Sequence, residues 1–84
     1  MVLKEEVLRF IRENFIFDEA EKLHENDSLL EKGIIDSTGV LELVAFIEEK
    51  YKITVEDEEL IPENLDSINR IAEFISRKLK ALPN

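Results

Sequence analysis

The chain has 84 residues, of which 44% are hydrophobic and 37% charged, and its 20 acidic and 11 basic residues give a formal net charge of −9. This size predicts one globular domain over residues 1–84, which buries roughly 60–65% of its unfolded surface. The lack of cysteine excludes disulfides and thiol nucleophiles, the lone histidine excludes a histidine-based zinc site or catalytic triad, and the negative charge makes nucleic acid a poor partner.

The spacing of apolar residues predicts three longer helices, at residues 2–15, 37–51 and 67–80. In each segment, apolar residues recur at intervals of three and four, which places them on one face, while charged residues occupy the other face. An Asp-Ser pair stands at the start of the second and of the third helix, and both residue types cap helix N-termini well.

Two connections join these helices. The first, residues 16–36, contains polar residues and a glycine but keeps large apolar residues, so we expect an ordered loop over the core with a helical turn at residues 19–24. In the second connection we expect a short helix at residues 56–61, which Pro62 ends. The predicted fold is all-α: a small four-helix bundle of three longer helices and one short helix, with a long ordered first loop.

Three Asp-Ser dipeptides occur in the chain, and their contexts differ. The pair at residues 36–37 follows a glycine and precedes an amphipathic helix that carries acids. The pair at 27–28 precedes no such helix, and the pair at 66–67 lacks the upstream glycine and opens a helix rich in Lys and Arg. A helix N-terminus favours negative charge, so the hydroxyl of Ser37 is a suitable position for a phosphate group. For Ser37 taken alone, a plain N-cap is the simpler interpretation.

The segment from Gly33 to Val44, GIIDSTGVLELV, resembles the attachment site of acyl carrier proteins: a glycine, two residues, Asp-Ser, and a helix rich in Leu, Val and Glu. The resemblance covers nearly the whole chain. It implies a four-helix bundle that catalyses nothing itself and carries 4′-phosphopantetheine on Ser37. A separate Mg²⁺-dependent phosphopantetheinyl transferase would attach the arm from coenzyme A. Its thiol would carry acyl or related groups as thioesters in a fatty-acid, polyketide or specialised lipid or aminoacyl pathway.

The same resemblance suggests roles for residues around Ser37. Asp36 is expected to assist Mg²⁺ coordination during the modification, with a plain N-cap as the alternative. In the family, the second helix docks on basic patches of acyl-loading, condensing or transferase enzymes, and complementary charge speeds such encounters. The acidic candidates for recognition are Glu42, Glu48 and Glu49. The apolar candidates, for which core packing is the alternative, are Leu41, Ala45 and Val55.

The inner faces of the helices supply candidates to line a cavity for an attached chain, although most of them must form the core. They are Val40, Leu43, Val44, Ile47, Leu60, Ile61, Ile68, Ile71 and Ile75. Thr38 and Gly39 stand where the family commonly has leucine and an acid, and Lys50 stands where a third consecutive acid is common. These differences favour a specialised stand-alone carrier over the carrier of primary fatty-acid synthesis.

Two other functions are compatible with the sequence. The first is a non-enzymatic acidic helical adaptor that binds a basic protein partner, with Ser37 only a helix cap. The second is a metal-binding module at residues 56–59, but consecutive acids lack the alternating spacing of a calcium loop. We expect no secretion signal and no membrane span, because no apolar run reaches about 18 residues. The resemblance implies a cytoplasmic monomer.

Overall fold

A computed structural model describes residues 2–15 and 24–81 of the chain. Its regular elements are α1 (Val2–Asn14), α2 (Ser37–Tyr51), a 3₁₀ turn (Asp57–Glu59), α3 (Pro62–Leu65) and α4 (Ile68–Ala81). Within these described ranges every regular element is helical, and three of the α-helices are long while one is short. The predicted all-α bundle is therefore confirmed. The observed bounds of the three longer helices agree with the predicted bounds to within one residue.

The last helix, α4, is the element on which the others pack, since it contacts α1, α2 and α3. Its buried side chains are Ile68, Ile71, Ala72, Phe74 and Ile75. The other helices complete the helical part of the core with Leu3, Val7, Ile11, Leu43, Ile47 and Leu65. Apart from Leu65 and Phe74, these residues lie on the apolar faces that the helical spacing predicted. Burial of one face of each helix therefore accounts for the bundle.

The first connection is ordered over residues 24–36, as predicted, because apolar anchors fix it to the core. Leu29 is fully buried and Ile35 is almost fully buried. Gly33 has a φ of +70°, a left-handed conformation that glycine adopts without steric cost. The helical turn predicted at residues 19–24 lies outside the described residues, except for its last residue.

The second connection differs from the prediction. Instead of a helix at residues 56–61 ended by Pro62, there is a 3₁₀ turn at Asp57–Glu59, and Pro62 begins α3. Proline suits the first position of a helix because its φ is already helical and its missing N–H would have had no partner there. The prediction was wrong because it treated Pro62 as a stop signal. A 2.8 Å salt bridge from Lys78 Nζ to Glu59 Oε1 ties the 3₁₀ turn to α4.

Tyr51 joins the C-terminal end of α2 to α1, because its hydroxyl donates a hydrogen bond of 2.5 Å to Glu6 Oε1. Burial of the phenol and this bond to a carboxylate raise the pKa of Tyr51 above its ordinary value of 10.0. A raised folded-state pKa means that this contribution to stability is complete below pH 10 and is lost as the pH rises through the folded-state value.

The pKa of Tyr51 in the folded and in the unfolded protein can be measured by phenolate absorbance, because Tyr51 is the single tyrosine of the chain. We expect a titration midpoint clearly above 10 in the folded protein and near 10 in concentrated urea. Glu6→Gln should move the folded midpoint back toward 10, since it removes the negative charge at the hydroxyl. A midpoint near 10 in the folded wild type would contradict the packing of Tyr51 against α1.

Candidate functional site

The N-terminus of α2 is capped by Asp36. The Oδ1 atom of Asp36 accepts a hydrogen bond of 2.8 Å from the backbone N–H of Gly39, and the backbone of Asp36 is extended. This is the geometry of an N-cap residue, so the interpretation of Ser37 as the cap is wrong. Asp36 thus has the N-cap role that was the alternative interpretation of this residue. Its second carboxylate oxygen, Oδ2, makes no hydrogen bond to a residue that the structure describes.

Ser37 is the first residue of α2, and its side chain is exposed. The N–H groups of Gly39 and Val40 bond to Asp36. The N–H groups of Ser37 and Thr38 find no acceptor within the described ranges, which is expected of the first turn of a helix. An anion held on the Ser37 hydroxyl would therefore lie at the positive end of the helix dipole, close to unused backbone donors.

The other two Asp-Ser serines are engaged in structure. Ser28 Oγ donates to Asp66 Oδ2 at 2.5 Å. Ser67 is 3% exposed, and its Oγ accepts a hydrogen bond of 3.1 Å from the N–H of Arg70, so Ser67 rather than Asp66 caps α4. Of the three dipeptides, only that at residues 36–37 presents an exposed serine hydroxyl with no partner among the described residues.

Gly39 has a packing role that the sequence analysis missed. A Cβ atom at this position would lie 3.0 Å from Phe15 Cε1 and 3.2 Å from Ile35 Cγ2. Both distances are shorter than the ordinary van der Waals separation of about 3.5–4.0 Å. Glycine therefore lets Phe15 and the end of the first connection pack against the first turn of α2. The available signal was a glycine inside a predicted helix, which often marks a close approach.

An open groove of about 320 Å³ lies beside Ser37, and its lining is mostly apolar. It is formed by the first connection, the first turns of α2 and the segment around α3. Its apolar lining includes Leu29, Leu30, Ile35, Val40, Leu41, Leu60, Ile61 and Leu65. Exposed hydrophobic side chains, among them Leu30, Leu41 and Ile61, lie here together, which makes the groove a candidate ligand or partner site.

The nine candidates for lining a cavity divide into two main groups. Five of them lie fully or almost fully buried in the core: Leu43, Ile47, Ile68, Ile71 and Ile75. Val40, Leu60 and Ile61 line the groove, and Val44 packs against the core without lining it. The groove therefore lies at the surface between α2 and α3, whereas these five side chains belong to the core.

Four of the six recognition candidates lie exposed on α2: Leu41, Glu42, Ala45 and Glu49. At about 100° per residue they fall within an arc of about 100°, so they share one face. Leu41 is 62% exposed, which excludes the core-packing alternative for it. The remaining two, Glu48 and Val55, bind each other, since the N–H of Val55 donates to Glu48 Oε2 at 2.9 Å. That bond ties the second connection to α2.

Replacing Asp36 with alanine tests the cap. We expect a loss of about 1 kcal/mol in the free energy of unfolding, because the first turn of α2 loses its side-chain acceptor. Asp36→Asn is the matched control, since an asparagine oxygen can accept the same bond and should retain most of the stability. Urea unfolding of both variants gives the comparison, and equal losses would contradict a capping role for the Asp36 side chain.

The structure offers no support for a metal module. Within residues 2–15 and 24–81, no group of three or more acidic or histidine side chains could hold a metal ion. At residues 56–59, Glu59 instead accepts hydrogen bonds from Lys78 and from the N–H of Glu56, and the bond from Lys78 is the main cause that lowers the pKa of Glu59. In the described part of the chain, no helix is long and apolar enough to cross a membrane.

Known proteins provide a comparison for this site. No family model matches the chain. The D-alanyl carrier protein of Streptococcus suis (strain 98HAH33) is 37% identical over 81 residues, which cover 96% of this chain and 100% of that protein. The D-alanyl carrier protein of Streptococcus mutans is 34% identical over 76 residues, or 90% of this chain and 94% of that protein. The "Probable acyl carrier protein PigG" of a Serratia species is 27% identical over 82 residues, or 98% and 93%.

Proposed function

The chain belongs to the acyl carrier protein family, and we propose that it carries its cargo on a 4′-phosphopantetheine arm attached to Ser37. Its role is that of a carrier and not of an enzyme. The observation that supports Ser37 is its position: an exposed hydroxyl at the first residue of α2, in a helix that Asp36 caps. When bound, the arm supplies the thiol on which a thioester forms.

The residues around Ser37 fit such a group. The N–H groups of Ser37 and Thr38, which have no acceptor within residues 2–15 and 24–81, and the positive end of α2 would stabilise the negative charge of the phosphodiester. Asp36 holds the first turn in place through its Oδ1. Its Oδ2 faces no described partner and is our candidate to assist Mg²⁺ while the transferase acts, since carboxylate and phosphate oxygens together are common magnesium ligands.

For the cargo, we propose a small aminoacyl group, with D-alanine as the first candidate. The support comes from the D-alanyl carrier proteins of Streptococcus, two of which are 34% and 37% identical to the chain. The groove favours a second candidate, an apolar acyl chain, because exposed Leu30, Leu41 and Ile61 lie beside Ser37. Both cargoes use the same attachment to Ser37, so they differ only in the enzyme that loads the thiol.

For the partners, we propose that the shared face of Leu41, Glu42, Ala45 and Glu49 docks on the transferase and on cargo-handling enzymes with basic patches. An exposed leucine on the same face as two acids offers an apolar contact together with negative charge, which promotes fast association with a basic partner. We assign Glu48 a different part in the same surface: its bond to the N–H of Val55 holds the second connection beside α2.

Two separate loading reactions distinguish the two cargoes. Protein that carries the arm is incubated either with an ATP-dependent D-alanine-activating enzyme or with fatty-acid synthase enzymes and malonyl-coenzyme A, and its intact mass is followed. We expect rapid D-alanylation and little malonyl transfer, with Ser37→Ala as the unreactive control. Efficient malonyl transfer and elongation, with no D-alanylation, would contradict the aminoacyl proposal and favour the acyl chain.

A further inference from the structure

The two walls of the groove beside Ser37 are joined by hydrogen bonds to one residue, Asp66. Ser28 Oγ donates to Asp66 Oδ2 at 2.5 Å, and the N–H of Leu30 donates to Asp66 Oδ1 at 3.0 Å. The N–H of Leu29 donates to the backbone carbonyl of Asp66 at 2.7 Å. We refer to the side-chain pair Ser28 and Asp66 as the clamp, since it links the first connection to the junction of α3 and α4.

The clamp is formed by the two Asp-Ser dipeptides that do not carry the attachment serine. The serine of the first binds the aspartate of the second, 38 residues further along the chain. The other member of each pair acts locally: Asp27 accepts from the N–H of His24 at 2.9 Å and lies 3.5 Å from Lys32 Nζ. Ser67 caps α4. Only the clamp residues of these dipeptides connect one wall of the groove to the other.

The clamp residues are direct neighbours of the apolar side chains that face the groove. Leu29 and Leu30 follow Ser28, and Leu65 precedes Asp66; Leu29, Leu30 and Leu65 all line the groove. Apolar contacts are non-directional and leave the separation of two walls loosely defined. Hydrogen bonds have narrow ranges of distance and angle, so bonds adjacent to these residues fix where the walls stand.

We propose that Asp66 is a positioning residue that sets the spacing of the groove walls, and with it the capacity of the groove for the apolar part of a group carried on Ser37. The inference rests on the proposed attachment of the arm to Ser37 and concerns the second of the two proposed cargoes, an apolar acyl chain. Removing the Asp66 side chain leaves the hydroxyl of Ser28 and the N–H of Leu30 without this acceptor. Of the three bonds to Asp66, only the backbone bond from Leu29 then remains, so the walls can shift about that bond and the groove no longer matches its occupant.

The test compares melting temperatures of the arm-bearing protein with and without an octanoyl group on the thiol. In the wild type we expect octanoyl loading to raise the melting temperature by about 4–8 °C, which corresponds to about 1 kcal/mol of added stability in a domain of this size. Asp66→Ala should lose at least half of this gain. Asp27→Ala is the matched control, because it also removes one aspartate side chain but breaks no hydrogen bond between Ser28 and Asp66. This variant should keep the full gain in melting temperature.

A merely structural role for Asp66 would lower the melting temperature of both forms equally and leave the gain unchanged, which would overturn the proposal. If octanoyl loading does not raise the melting temperature of the wild type, the proposal for Asp66 is also overturned. The added mass on Ser37 would still support the carrier function in that case. If no arm can be attached to the wild type, the proposal for Asp66 and the proposed attachment to Ser37 are both contradicted. Should Asp66→Ala not fold, Ser28→Ala breaks one bond of the clamp, and we expect it to lose part of the gain.

Discussion

Replacing Ser37 with alanine should abolish attachment of the phosphopantetheine arm and leave the fold intact. The hydroxyl is the proposed attachment atom, so every later loading step is lost with it. Stability should change by less than about 0.5 kcal/mol, because Ser37 is exposed and Asp36, not Ser37, supplies the cap. Intact mass after incubation with transferase and coenzyme A measures the first effect, and urea unfolding measures the second.

Alanine variants of the other two Asp-Ser serines are the matched controls for this result. Ser28→Ala and Ser67→Ala should both accept the arm at wild-type stoichiometry. Ser67→Ala should nevertheless lose about 1 kcal/mol of stability, because it removes the cap of α4. Attachment that survives in Ser37→Ala and disappears in one of the controls would move the site to that serine.

The second large effect is expected at Leu29, which anchors the first connection. Its side chain is fully buried, although it lies outside every helix. Leu29→Ala should lower the free energy of unfolding by about 2–5 kcal/mol through lost burial and a residual cavity. This is a large fraction of the roughly 5–10 kcal/mol expected for a domain of this size, so the melting temperature should fall steeply.

Leu41→Ala makes the same chemical change on the surface and serves as the comparison. Because Leu41 is 62% exposed, its stability effect should stay within about 0.5 kcal/mol. Its expected effect is on function: the transferase KM should rise while the melting temperature stays constant. Similar stability losses in Leu29→Ala and Leu41→Ala would contradict the packing of the first connection.

The sequence predicted the longer helices well, because each buries one face and that face determines the spacing of its apolar residues. The core position of Ile47 follows from this rule, whereas the start of α2 was indicated by the Asp-Ser pair at residues 36–37. Pro62 was misassigned because proline is compatible with the start of one helix and with the end of another. Which of these applies depends on where the next apolar residue, Leu65, is buried.

For the candidate site, the motif predicted Asp36 and Ser37 but did not show which of the two caps α2. Both residue types cap helices, so only the hydrogen bond to Gly39 assigns the cap. The bond between Ser28 and Asp66 joins residues far apart in sequence, which no local pattern reveals. The groove is likewise a consequence of tertiary packing and could not be derived from periodicity.

The most direct test of the carrier function is the intact mass of the wild-type protein before and after incubation with a broad-specificity phosphopantetheinyl transferase, Mg²⁺ and coenzyme A. The sample must first be shown to be folded and unmodified. We predict the gain of one phosphopantetheine, which peptide mapping places on Ser37. No gain in mass would contradict the carrier function and favour an acidic helical adaptor that binds a basic protein.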